Sequence, residues 1–485
     1  MKLSTILTKI ISKISGRLVT LNLPSLWTAC CFAIFIPCHL AAQDSVLNLT
    51  RAVQIGLNNY QNIAAKRNYV GASVALSQNT KNQYLPDVTA SIQQVYGTVN
   101  GQIGPAISIG SPGLSSSGPT WPSQSWNSAF GGVYLLTSNW EFVSFGRLRS
   151  KIDAAGKQVM LDSFSLNQEK FVTGVKIAGT YLNLLIAQRL VENAQSNVDR
   201  AESVRQSVMA RTLSGLNAGV DSSIAIAELS GARLSLIQAV NFEQQVLNQL
   251  AQLLNAPPVS IPLDTSFFSR TPSTYSTTSS VADNPQAKYY QSRIDLSQGL
   301  SKYLQKSINP GLNLFGTFQS RASGFDYNYL PGFDDRYSKN YFDGVNPNRY
   351  NYVFGLGLAW NIISPLKIKQ QVKAQQLISD AYANEYDLVT TQLKDQLILS
   401  DQQIENSIRS VREAPLQLKA ASDAYVQKTA LYRNGLSNIV DVQQALFTLN
   451  KAQTDLSVAY INVWQALLLK AAASGDFDLF MKQVK

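Results

Sequence analysis

The residue types that most often do chemistry are confined to one end of this chain. Its single histidine, His39, and its three cysteines, Cys30, Cys31 and Cys38, all lie within the first forty residues. Ser-His-Asp and Cys-His nucleophilic sites, imidazole proton transfer and Cys/His zinc or copper centres all need those types. Once that stretch is removed, only carboxylates, Lys and Tyr remain for any reaction. The carboxylates recur at a fixed interval. Gly215-Leu216-Asn217-Ala218-Gly219-Val220-Asp221 returns as Gly435-Leu436-Ser437-Asn438-Ile439-Val440-Asp441, an offset of 220 residues. A second acidic group, Asp326, Asp334, Asp335 and Asp343, sits in an aromatic stretch from Phe325 to Arg349. It lacks the ordered Asp-x-Asp-x-Asp-Gly spacing of a calcium loop. A surface loop at an outer rim is expected there, with a calcium or ligand surface as the alternative.

The amino-terminal segment reads as a signal peptide spanning 1–42. Lys2, Lys9, Lys13 and Arg17 precede an apolar run from Leu26 to Ile36, and Ala41-Ala42 offers a cleavage site. The apolar run is short of the roughly 20 residues of a spanning helix. An uncleaved anchor and a lipid on Cys38 stand as alternatives; Phe35-Ile36-Pro37 matches a lipoprotein signal poorly. The chain has 41 basic and 31 acidic residues, and without the leader 37 against 31, a net +6. So modest an excess does not point to nucleic acid. The 15% charged content is low, against about 25% in an ordinary soluble domain. No later segment offers about 18 consecutive apolar residues, which excludes an inner-membrane helical bundle.

The elements that must position the recurring carboxylates are themselves duplicated. Trp140, followed by Ser144, Arg147 and Arg149, returns as Trp360, Ser364, Lys367 and Lys369, again at 220. Tyr84-Leu85-Pro86 aligns with Ile308-Asn309-Pro310. A first repeat (43–256) and a second (284–485) flank a Pro-, Ser- and Thr-rich segment, 257–283, which reads as a connector without a core of its own. Each repeat runs helix (about 47–83 and 284–307), strand, loop, strand, very long helix, tight turn, helix.

In Tyr350 to Trp360 the even positions are large and apolar, while Gly355, Gly357 and Ala359 share the opposite face. Phe130, Tyr134, Leu136 and Trp140 repeat that face. Eleven residues with aromatics at both ends suit a lipid-spanning strand, with Tyr134, Trp140, Tyr350, Tyr352 and Trp360 as its girdle. The partners, Asp87 to Gly97 and Gly311 to Phe318, alternate less cleanly. Four strands cannot close a barrel, and an open edge is not tolerated in lipid, so several chains must share one wall; three would supply twelve strands.

From Gly146 to Ser214 there is no proline, and 69 residues of helix would reach about 100 Å. Pro365 to Asn434 is similar but holds Pro415, where a kink or local break is expected. The helices at about 221–256 and 284–307, laid end to end, almost match one long helix. Such lengths build a rod or tube wall whose apolar stripe must be buried against neighbours.

With these features assembled, the chain resembles the outer-membrane efflux protein family, the TolC-like trimeric channels. The resemblance rests on Gly435 to Gln443 with Leu449 and Ala452, on Ser214-Gly215-Leu216 to Asp221, and on the two Trp-to-basic junctions. It implies an α+β membrane protein, with a twelve-stranded transmembrane β-barrel from three chains continued by a periplasmic α-helical tunnel. It implies an outer-membrane exit duct with no cofactor and no catalytic residue, driven by an inner-membrane transporter of the RND or ABC type through a periplasmic adaptor protein. By the same resemblance, Gly215, Leu216, Gly435 and Leu436 are adaptor-contact tips. Asp221 and Asp441 are carboxylates ringing the pore entrance, with Ser437 and Gln444 at positions where some members carry Arg and an acid; a salt-bridge latch is therefore not expected. Plainer roles coexist with these: helix N-caps for the two aspartates, C-caps for the two glycines, and burial in the turn for the two leucines.

A trimeric coiled-coil stalk or adhesin would show uninterrupted heptads and one anchor segment, which the duplicated strand pairs oppose. A carboxylate-based hydrolase needs two placed acids in a cleft, which a rod with scattered acids does not offer.

Overall fold

The computed structural model describes residues 46–101, 118, 120–215, 218–259, 262–276 and 280–484. The signal-peptide segment with all its Cys and His, and Leu216 at the first turn, lie outside the described residues.

The two repeats fold alike. The first runs α1 (Leu49–Asn59), α2 (Gln61–Asn82), β1 (Asp87–Thr98), β2 (Ser128–Val143), α3 (Arg147–Leu213) and α4 (Gly219–Leu254). The second runs α5 (Pro285–Lys306), β3 (Gly311–Ser323), a short α6 (Tyr341–Val345), β4 (Arg349–Ala359), α7 (Ser364–Arg433), α8 (Ile439–Ser474) and α9 (Phe477–Val484). The single helix expected over 47–83 is two. Tyr60, with ψ of 120°, ends α1 and caps α2. The break serves packing: α1 buries Leu49, Ala52 and Val53 in the main core, whereas α2 runs along α3.

The four strands form one antiparallel sheet in the order β1-β2-β3-β4. The long helices repeat that order, with α2 against α3, α3 against α5, and α5 against α7. As the helix lengths require, α3 packs along both α4 and α5, while α8 returns along α7. Within α4 and α8 are 18-residue windows apolar enough to cross a membrane, but α8 is largely buried inside the protein.

No local break occurs at Pro415, because α7 is continuous through it. Proline removes only one ladder hydrogen bond, and α8 holds the helix just past it. Gln417 donates to Asp455 (3.1 Å), and Ala421 with Leu418 packs on Leu449 and Ala452. The segment 257–283 docks onto the core of the two repeats. Leu263 and Phe267 enter the largest core, and Leu47 bridges Leu263 in parallel. There the fully buried Tyr181 donates to the Leu47 carbonyl (2.6 Å) and accepts from the Asp264 N–H (3.0 Å). The Trp464 indole donates to the Arg270 carbonyl (3.1 Å) and meets Phe267 edge-on. Burial pushes the Tyr181 phenol up to about 12.

Candidate functional site

The register sorts every strand residue onto one of two faces. Val88, Ile92, Leu136, Trp140, Leu314, Phe318, Tyr352, Phe354, Leu356 and Leu358 share one, because Ile92 pairs with Tyr134, Leu136 with Phe318, and Phe318 with Tyr352. The other face carries Thr89, Gln93, Thr137, Asn139, Asn313, Thr317, Gln319, Arg321, Arg349 and Asn351. One side is apolar and the other polar, as a wall between lipid and water requires. The less clean alternation of β3 has a local cause: Phe315, on the polar face, lies across Gly355. A Cβ on Gly355 would come within 2.4 Å of the Phe315 ring, so only glycine fits beneath it.

Of the girdle positions, Tyr350, Tyr352 and Trp360 stand exposed, and Tyr350 stacks on Phe318 (6.3 Å). Trp140 is partly exposed, and its indole donates to the Tyr84 carbonyl (2.7 Å). In the second repeat Trp360 makes the same bond to the Ile308 carbonyl (3.0 Å). The duplicated Trp thus clips each outgoing strand to the helix–strand turn of its own repeat. Tyr134 departs from the girdle reading. Helix α6 folds over it, its hydroxyl donates to the Val345 carbonyl (2.8 Å), and Tyr341 packs edge-on to neighbouring Phe130 (5.2 Å). The covering helix comes from the 325–349 loop, which is an ordered aromatic cluster here: Tyr329 is buried among Phe325, Tyr337 and Trp121.

At the far end of the long helices are the two turns. Gly215 and Gly435 have φ of +74° and +76°, the left-handed backbone that only glycine adopts freely. Gly435 N–H donates to the Tyr432 carbonyl (3.0 Å) and Leu436 N–H to the Leu431 carbonyl (2.9 Å), the paired bonds of a Schellman cap. Leu436 is not buried in the turn; it is 75% exposed.

Neither aspartate is an N-cap. Ala218 and Asn438 hold those positions, and Asp221 and Asp441 lie in the first turns that follow. Asp441 is also not a bare carboxylate. Ser437 donates to its Oδ2 (2.8 Å), the Lys428 ammonium reaches the same oxygen (3.0 Å), and its N–H donates to Asn438 (2.9 Å). The Ser437 hydroxyl, then Lys428, hold the Asp441 carboxyl below its usual range. A Ser437–Asp441–Lys428 cluster ties α7 to α8 across the turn within one chain, which is not the closing latch that the sequence reading set aside. Lys428 was missed in the sequence although it and Asp441 sit equally far from the turn at 434–435, and such positions face each other across a helical hairpin. Gln444 lies exposed one helical turn beyond Asp441.

The two hairpins are joined by a small core of Val204, Val208, Ala225, Tyr432, Ile439 and Val442. Gln443 donates across to the Ile224 carbonyl (3.4 Å). Arg211 donates to the Arg433 carbonyl at the end of α7 (2.8 Å) and lies over the Tyr432 ring (5.5 Å). Nothing in the local pattern around Arg211 marks this brace.

The family model described as outer membrane efflux protein matches residues 52–256. Over those residues the chain is similar to the outer membrane efflux proteins. Its whole fold is similar to solved outer-membrane channels. CmeC of Campylobacter jejuni is 13% identical with a TM-score of 0.71, covering 94% of this chain and 94% of its own. VceC of Vibrio cholerae is 14% identical at 0.69, covering 88% and 96%. MtrE of Neisseria gonorrhoeae is 15% identical at 0.68, covering 88% and 89%. No curated protein matches the chain in sequence. The matched family is one of channels and not of enzymes, and the solved channels share this chain's fold.

Proposed function

We propose that three copies of this chain close their sheets into a twelve-stranded barrel, continued by their long helices as a tunnel. The assembly would be the passive exit duct of a tripartite efflux pump or a type I secretion system, coupled through a periplasmic adaptor to an inner-membrane transporter. One observation carries the reading: a sheet with one apolar and one polar face whose outer strands, β1 and β4, each have an edge that is unpaired among the described residues. No lone chain can place such edges in lipid, and neighbouring copies supply the missing partner strands.

In this reading Gly215, Leu216, Gly435 and Leu436 form the tips that meet the adaptor. The exposure of Leu436, Leu213 and Val440 around the turns supports an apolar partner surface. Asp441 lines the entrance with its charge offset by Lys428, so the entrance is held by hydrogen bonds and an ion pair within each copy rather than left as an open carboxylate ring. The exposed apolar residues of α7, among them Leu377, Leu388, Ile398 and Leu399, supply the stripe for helices of the next copy.

Planar-bilayer conductance of the purified protein, with its mass measured in detergent, tests this. A trimer that conducts once its tips are loosened is expected. A water-soluble monomer without conductance in any state would refute it.

A further inference from the structure

The Trp-to-basic junction recurs in both repeats, and the duct reading leaves its charges unused. The four helix–strand junctions, residues 77–86, 143–152, 302–310 and 361–373, contain nine basic residues and no acidic one. Several sit in the first turns of α3 and α7, where the positive end of the helix dipole disfavours them. Helix stability does not explain their placement.

The faces do. Arg147 pairs with Glu141, which lies on the polar face of β2. Two residues on, a helix has turned 200°, so Arg149 and its repeat counterpart Lys369 point toward the apolar side. Lys373 follows Lys369 by one turn on the same side. These two lysines line a groove of about 770 Å³ between the end of α5 and the start of α7, with Ile308, Pro365, Ile368 and Val372. Ile308 is also the residue whose carbonyl holds the Trp360 indole, so the groove opens directly beneath the girdle. Ile362, Ile363 and Leu366, where the chain enters α7, are exposed, and Ile362 and Ile363 line a separate pocket with Glu141 and Arg147. Among the described residues neither lysine has a carboxylate partner.

We propose that this groove holds the headgroup of an anionic phospholipid of the periplasmic leaflet, with its phosphate on Lys369 and Lys373 and its chains running from the groove past Trp360 along the apolar face of β4. The inference rests on the barrel reading above. An ammonium pair beside an apolar wall at the interface fits a lipid that is itself anionic and apolar, and each lysine adds on the order of fivefold to such binding.

The test uses full-length protein assembled in phosphatidylcholine bilayers with and without phosphatidylglycerol, extracted in mild detergent, with retained lipid read by native mass spectrometry. Wild type is expected to retain phosphatidylglycerol preferentially. K369Q should weaken that preference on the order of fivefold and K369Q/K373Q abolish it, while K451Q, on distant α8, leaves it intact. Equal retention by wild type and the double variant overturns the proposal. So does loss of the assembled trimer in the double variant, since the groove would then be a contact between copies. Failure of wild type to enter either bilayer would instead overturn the barrel reading.

Discussion

Leu356 and Val353 lie three residues apart on β4 and point to opposite faces, which makes them a matched pair for testing the wall. Each is well exposed in a single chain, at 71% and 58%. The eleven residues of β4 span about 36 Å along the strand, and a tilt of about 45° reduces that to about 26 Å, close to the ~25 Å apolar band of an outer-membrane barrel. Both residues therefore fall near the bilayer midplane. Leu356→Arg should cost about 2–4 kcal/mol per copy, or about 6–12 kcal/mol over three copies, whereas Val353→Arg faces water and should cost about 0–1 kcal/mol per copy. Urea titration of folding into phosphatidylcholine vesicles, followed by the yield of heat-modifiable trimer, measures both. Equal losses, or a larger loss for Val353→Arg, would show that the two faces have been assigned wrongly.

Three other perturbations reach different parts of the molecule. Tyr181→Phe leaves a buried carbonyl and a buried N–H without partners and should cost about 2–5 kcal/mol by denaturant melting. The folded phenol titrates at about 12 and an unfolded one near 10, so wild-type stability should be complete below pH ~10 and fall as pH rises through ~12; Tyr181→Phe should flatten that decline. The depressed Asp441 pKa has the opposite sign: its contribution is present above the ordinary carboxylate value and lost as pH falls through the lower folded one. Acid should therefore loosen the tip and raise single-channel conductance, and Asp441→Asn should be loose at all pH values; an unchanged acid response in that variant would remove the Ser437–Asp441–Lys428 cluster from the entrance. Leu436→Asp should abolish cellular export while the purified trimer stays intact, and loss of the trimer would mean that the turn stabilises the fold instead of meeting a partner.

Much of this architecture was legible because backbone economy wrote it into residue types. In β4 small residues alternate with aromatics, so its faces could be read directly; in α3 the absence of proline from Gly146 to Ser214 gave its length. The 220-residue echo exposed the duplication before any helix was placed, and the Trp140 and Trp360 hydrogen bonds are that echo in three dimensions. What stayed hidden depended on chain segments meeting from far away. No residue type at Tyr60 announces a helix break, because the break follows the change from core packing to wall packing. Phe267 looked like part of a loose connector because its partners, Tyr181 and Trp464, lie far off in sequence. Tyr134 carries the girdle pattern yet is covered by α6, a helix of five residues too short to leave a periodic signal. At the tip, the glycines and aspartates were found by repetition, but Lys428 required knowing where the hairpin folds back.

The two unpaired strand edges also govern the molecule before it reaches its destination. In the duct reading, a newly exported copy must cross an aqueous compartment with two rows of free amide and carbonyl groups and a broad greasy face, each able to zip onto any extended chain it meets. Productive assembly and irreversible clumping then compete for the same surfaces, and their balance shifts with how fast copies arrive. The yield of finished assemblies should accordingly respond to expression rate, rising at first and then collapsing when supply outpaces insertion.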